Sequence, residues 1–249
     1  MQEKNIVTIT GNEANLFWSL PEQSTCFDKP FVGLKNTTRE DILRSSSWVT
    51  YHLETTAITE QFRTAQDQKA EDFMLKEAKN INLILITACN NQDKKVYKFD
   101  GENAAKDFET FLTEKQNPLL VSYNGFRFAD VVLASRGINI KKYSSFDMFL
   151  EIYRCVVAAW SVDAIKSRRG WNFDAVVKSS LNKERTALDE KTWDYLLSED
   201  PDKKKKGVDY AKQTAYYLNL LFMHIKSGKS VSSSGIPLSI NLLGAEEKE

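Results

Sequence analysis

The chain has 249 residues, of which 42% are hydrophobic, 27% charged and 11% aromatic, a composition expected of an ordinary soluble globular protein with one sizeable domain plus extensions. Lys plus Arg equals Asp plus Glu at 34 each, so the formal charge is zero; this argues against bulk electrostatic capture of nucleic acid but leaves room for a local basic face. Cys26, Cys89 and Cys155 lie far apart with no CxxC pair, which argues against a disulfide framework or structural zinc and fits an intracellular, reducing compartment, cytoplasm or nucleus.

In chain order, MQEKNIVTIT shows no basic region followed by an apolar stretch, so no signal peptide is expected. No apolar run approaches the ~18 residues of a membrane span, so no membrane partner is expected. Residues 1–46 read as an N-terminal extension with a strand at Asn5–Thr10 and a helix start at Thr37-Thr38-Arg39-Glu40. The main domain is expected over 47–226 and a flexible, Gly- and Ser-rich tail over 227–249.

Within the domain, the β-rich run Trp48–Leu53 predicts a strand. Residues 57–79 are helix-compatible, with Phe62, Phe73, Met74 and Leu75 turned inward. Ile81–Ala88 is a central strand, Asn90-Asn91-Gln92-Asp93 a turn, and Lys95–Phe99 the next strand of a hairpin. Ala104–Glu114 reads as a helix. Leu119-Leu120-Val121 is an apolar strand that runs into the turn Ser122–Gly125 and launches a helix carrying Phe128, Val131, Val132 and Leu133. Ser145–Val157 is expected to be helical, Lys166–Gly170 a basic loop, and Asn172–Leu181 and Asp189–Leu197 short helices. Ser198–Gly207 is expected as a charged loop and Val208–Ile225 as a long helix. This order of elements gives a mixed α/β sheet with helices packed on it.

Three segments carry a joint signal: Val49-Thr50-Tyr51-His52-Leu53-Glu54-Thr55-Thr56, Ser122-Tyr123-Asn124-Gly125-Phe126-Arg127-Phe128-Ala129 and Tyr210-Ala211-Lys212-Gln213-Thr214. Over residues 48–226 the chain resembles the ribonuclease H-like 3′–5′ exonuclease superfamily of DEDD type, related to the proofreading domain of family B DNA polymerases. Members read DIET on the first strand, FNG or YNG followed two residues later by FD at a strand-to-helix turn, and YC followed two residues later by DV on a late helix.

The resemblance implies a ribonuclease H-like mixed sheet flanked by helices. It also implies a reaction in which two Mg²⁺ or Mn²⁺ ions flank the scissile phosphate, held by four acidic residues. Residue by residue, the first Asp falls on His52, the Glu on Glu54, the Asp of FD on Ala129, the last Asp on Thr214 and the tyrosine on Tyr210. Alanine cannot ligate a metal, threonine is a weak neutral ligand, and neutral histidine suits zinc better than magnesium.

The favoured expectation is therefore a catalytically degenerate domain that binds nucleic acid or assembles with a protein partner, with no cofactor. Nucleic-acid contacts are assigned to Asn124, Arg127, Lys166, Arg168, Arg169 and the run Lys203, Lys204, Lys205, Lys206, with Lys141 and Lys142 on the same basic face. One alternative is an active exonuclease using Mg²⁺ or Mn²⁺ on shifted ligands, Glu54, Asp130 and Asp209, with His52 or Asp147. The other is a pure protein-interaction subunit. Gly228-Lys229-Ser230 is no phosphate loop, because Met223 stands where that motif needs glycine.

Overall fold

The computed structural model describes residues 7–8, 42, 44–67, 71–152, 171–233 and 236–239. β1 is Val7–Thr8 and β2 is Trp48–Thr55. Helices α1 (Glu60–Asp67) and α2 (Glu71–Ala78) lead to β3 (Leu83–Asn90) and β4 (Val96–Asp100). Helix α3 (Ala104–Glu114), β5 (Leu119–Ser122), a 3₁₀ turn at Gly125–Arg127 and α4 (Ala129–Ser135) follow. Then come β6 (Ser145–Asp147), α5 (Phe173–Leu181), α6 (Thr192–Leu196), α7 (Pro201–Lys226), β7 (Val231–Ser233) and β8 (Ile236–Ser239).

The main sheet has the order β4-β3-β2-β5-β6. β2, β3 and β4 run antiparallel as a meander, and β5 and β6 lie parallel to β2. This is a mixed α/β sheet, compatible with a ribonuclease H-like fold. Side chains alternate across a strand, and β2 shows the consequence. Tyr51 and Leu53 enter a core with Phe62, Met74, Phe108, Phe126 and Leu133 from the first four helices and the turn before α4. On the other face, the Thr50 hydroxyl donates to the Ala215 carbonyl of α7 at 2.8 Å, and Thr87 of β3 does the same to Ala211 at 2.9 Å. A second core joins Val121 and Phe146 to Val176 of α5 and Leu218, Phe222 and Ile225 of α7.

Four local expectations are corrected. Ser145–Asp147 is a strand, with helix only from Met148; its three residues are too few for periodicity to reveal. Lys203–Lys206 lie on α7 and not in a loop, because Asp200 caps the Asp202 and Lys203 amides and Pro201 opens the helix, where its missing N–H costs nothing. Phe73 is not inward: it is 39% exposed, while Phe62 and Met74 are fully buried and Leu75 half-buried. The segment after Ser227 is not a free tail where it is described: β7 and β8 pair antiparallel, bury Val231 and Leu238, and take β1 as a parallel third strand.

Candidate functional site

The three motif segments meet at the end of β2 next to the β5 turn. β5 ends at Ser122, and the chain turns through Asn124, whose φ of 64° is a left-handed conformation that asparagine tolerates. Gly125 must be glycine, since a Cβ there would stand 2.3 Å from Ser122 Oγ and 3.2 Å from Tyr51 Oη. Asp147, at the end of β6, holds this turn: it accepts the backbone N–H groups of Asn124 (2.8 Å), Phe126 (3.1 Å), Phe149 (3.0 Å) and Leu150 (3.2 Å). Burial raises its carboxyl above the ordinary value, against the pull of those four donors. Asp147 is thus a structural acceptor.

Two adjoining depressions open at this point. The smaller, about 260 Å³, is lined by Tyr51, His52, Tyr123, Asn124, Phe128 and Ala129. The larger, about 810 Å³, contains Glu54, Arg63, Asp174, Arg185 and Tyr210. Leu53, Ile58 and Phe128 border both. Glu54 and Tyr210 therefore share one cleft, and His52 and Ala129 share its neighbour.

Glu54 Oε1 is hydrogen-bonded to His52 Nε2 at 3.0 Å, two residues apart on one face of the strand. Thr214 belongs to the same constellation through Arg185. The Arg185 Nη1 donates to Thr214 Oγ1 at 2.8 Å, while Nε and Nη2 donate to both oxygens of Asp174 at 2.6 Å each. Thr214 Oγ1 gives its own proton to the Tyr210 carbonyl at 3.1 Å, so its lone pairs face the arginine. The guanidinium lies 4.3 Å from the Tyr210 ring centroid and 5.2 Å from that of Phe173. Burial raises the Tyr210 phenol, Arg185 pulls it down, and Asp174 and Glu54 push it up, which puts all three charges around one ring.

The shifted carboxylates stand elsewhere. Asp130 is buried and accepts from Tyr51 Oη on the opposite face of β2 from Glu54. Burial pushes it up to about 7, with Tyr51 lowering it and Asp147 raising it. Asp209 forms an ion pair with Lys205 at 3.3 Å, four residues back on α7. Neither carboxylate lines either depression. Two hard divalent cations need several oxygen ligands. Among the described residues no group of three His, Cys, Asp or Glu side chains could hold a metal ion, so the donor set does not fit such a pair.

The described basic candidates that form ion pairs have separate partners. Lys203 is paired with Glu190 at 2.5 Å and Lys205 with Asp209; Lys204 borders a separate depression, with Leu83, Ile84, Leu85, Leu196 and Leu197. Lys206 is exposed on α7. Lys142 reaches Glu109 at 3.8 Å. Lys166, Arg168, Arg169 and the Arg127 side chain lie outside the described residues. Asn124 lines the smaller depression, and its buried Oδ1 has no hydrogen-bond partner. No described helix is long and apolar enough to cross a membrane. Sequence reasoning missed Arg185 and Asp174. The weak signal was an arginine in the irregular stretch after Leu181, eleven residues beyond an Asp in the first turn of α5.

No protein-family model matches the chain, and no curated protein matches it. Among solved structures, the family B DNA polymerase of the hyperthermophilic archaeon Pyrobaculum calidifontis matches with a TM-score of 0.42 and 13% identity. The match covers 72% of this chain and 24% of that one, so it spans about a quarter of the polymerase's length.

Proposed function

We propose that the chain is a catalytically degenerate, exonuclease-like domain that binds single-stranded nucleic acid without cleaving it. The observation that carries this reading is the state of the motif positions. Glu54 is engaged by His52, Ala129 offers no ligand, and Thr214 meets an arginine where metal-dependent hydrolysis needs a cation-binding carboxylate. An ionised carboxylate at these places would attract Mg²⁺; a guanidinium repels it.

The test is incubation of end-labelled single-stranded DNA and RNA with the purified chain in Mg²⁺ or Mn²⁺. Intact substrate that nevertheless shifts on a native gel is expected. Degradation that disappears in Glu54→Gln would establish the active-exonuclease alternative instead.

A second reading, assembly with a protein partner, is favoured by one surface. Leu197 is 56% exposed beside the half-buried Ile84 and Val208. If this patch drives association, sedimentation of the chain with a candidate partner should lose the complex in Leu197→Glu; a complex that survives the change sinks the reading for this patch.

A further inference from the structure

Residues 182–191 run without regular structure between α5 and α6, and they are laid along one side of α7. The Tyr217 hydroxyl donates to the Glu184 carbonyl at 3.2 Å. Gln213 brackets Thr186, accepting its backbone N–H and donating to its hydroxyl, both at 2.8 Å. These bonds flank Arg185 on both sides and fix where its side chain enters the cleft.

A guanidinium has five N–H donors in a rigid plane. Three are taken, two by Asp174 and one by Thr214, which leaves two N–H bonds. Asp174 holds one edge of the plane and is itself 59% exposed, so water screens its charge, whereas the arginine is only 11% exposed. The other carboxylates among the described residues of the cleft are engaged already: Glu54 with His52, Glu184 with Lys178 at 2.6 Å and Glu190 with Lys203. Arg63 and Lys191 line the same cleft and are exposed. An anion entering there meets guanidinium and ammonium groups whose acidic neighbours are occupied, beside an aromatic ring, Tyr210.

We infer that Arg185 is the built-in cation of this cleft, contacting a backbone phosphate of a single strand directly and with no divalent ion between. This rests on the nucleic-acid-binding reading above. It goes beyond that reading by naming the group that meets the phosphate and by making binding independent of metal. An N⁺–H···O⁻ bond of this kind is charge-assisted and partly shielded from water, so it is stronger than a surface contact.

The experiment is fluorescence anisotropy of labelled oligo(dT) and oligo(rU) over a salt series, in EDTA and in Mn²⁺. Wild type is expected to bind equally in both. Arg185→Gln is expected to weaken binding about ten-fold, equivalent to 1.4 kcal/mol. It should also flatten the dependence of log K on log salt by about 0.7, the value for one lost phosphate contact on a single strand. Gln213→Ala loosens the same segment without removing a charge and should keep the wild-type salt slope. Binding that needs Mn²⁺, an unchanged slope in Arg185→Gln, or an equal loss of slope in Gln213→Ala would each overturn the inference while the binding function stands. A wild type that binds neither oligonucleotide overturns both.

Discussion

On one face of β2, Tyr51 donates to Asp130 and both are buried; on the other, Glu54 meets His52 at the rim of an open cleft. The buried face is a support: Asp130 through Tyr51, and Asp147 through four backbone amides, hold the turn that separates β5 from α4. The open face presents groups to a ligand. Acidic residues are present on both, yet those shielded from water are committed to the chain itself. A carboxylate near a candidate active site is therefore no evidence of catalysis until its hydrogen bonds are traced.

The contrast breaks first at Asp147. Asp147→Ala strands several backbone donors, two of them, at Phe126 and Leu150, in buried positions. At about 1–3 kcal/mol for each unsatisfied buried group, the expected loss exceeds ~3 kcal/mol in a urea titration. A loss under ~1 kcal/mol would mean that the turn does not depend on this face.

Asp130 gives the next effect. Burial raises its folded-state value to about 7, above the ordinary 3.8, so folding favours the protonated acid. Its contribution is full below about pH 4 and fades as pH rises through about 7, at most ~1.4 kcal/mol per pH unit. Asp147, also raised by burial, acts with the same sign. Asp130→Asn should flatten the fall in urea midpoint over that window; an unaltered slope would sink the assignment.

Gly125→Ala comes third, since its new Cβ collides with Ser122 Oγ. A cost of about 1–3 kcal/mol is expected from overpacking, read as a lower melting temperature. Asp174→Asn on the cleft face is the smallest, under ~1 kcal/mol for a pair half open to water. Its stability should barely move while oligonucleotide affinity rises, because Arg185 loses its competing anion. If Asp174→Asn destabilises as much as Gly125→Ala, the two faces are not distinct.

The central strands β3 and β5 were legible from sequence because they bury both faces and read as apolar runs. The run Ile81–Ala88 locates β3 within two residues, and Leu119–Val121 locates β5. The ordered motifs singled out Glu54, Tyr210, His52 and Ala129, which line the two adjoining depressions. The start of α7 was misread because four lysines and Gly207 imitate a loop, although Asp200-Pro201 carried the true signal. Arg185 carried only a weak signal in the sequence. Its meaning lies in partners 11 residues before it and 29 after it, brought together only by the packing of α5 on α7.

The small sheet has a consequence for the order of folding. β1 and β8 pair Val7 with Leu238, so closing that ladder joins positions 231 residues apart in sequence. Loop-closure entropy grows with the logarithm of that separation, and contacts between distant residues form late. Among the described residues β1 pairs with β8, so during synthesis that ladder waits until residue 239 has been made. The main sheet and α7, whose pairings span shorter separations, are therefore expected to form before the β1–β8 ladder closes.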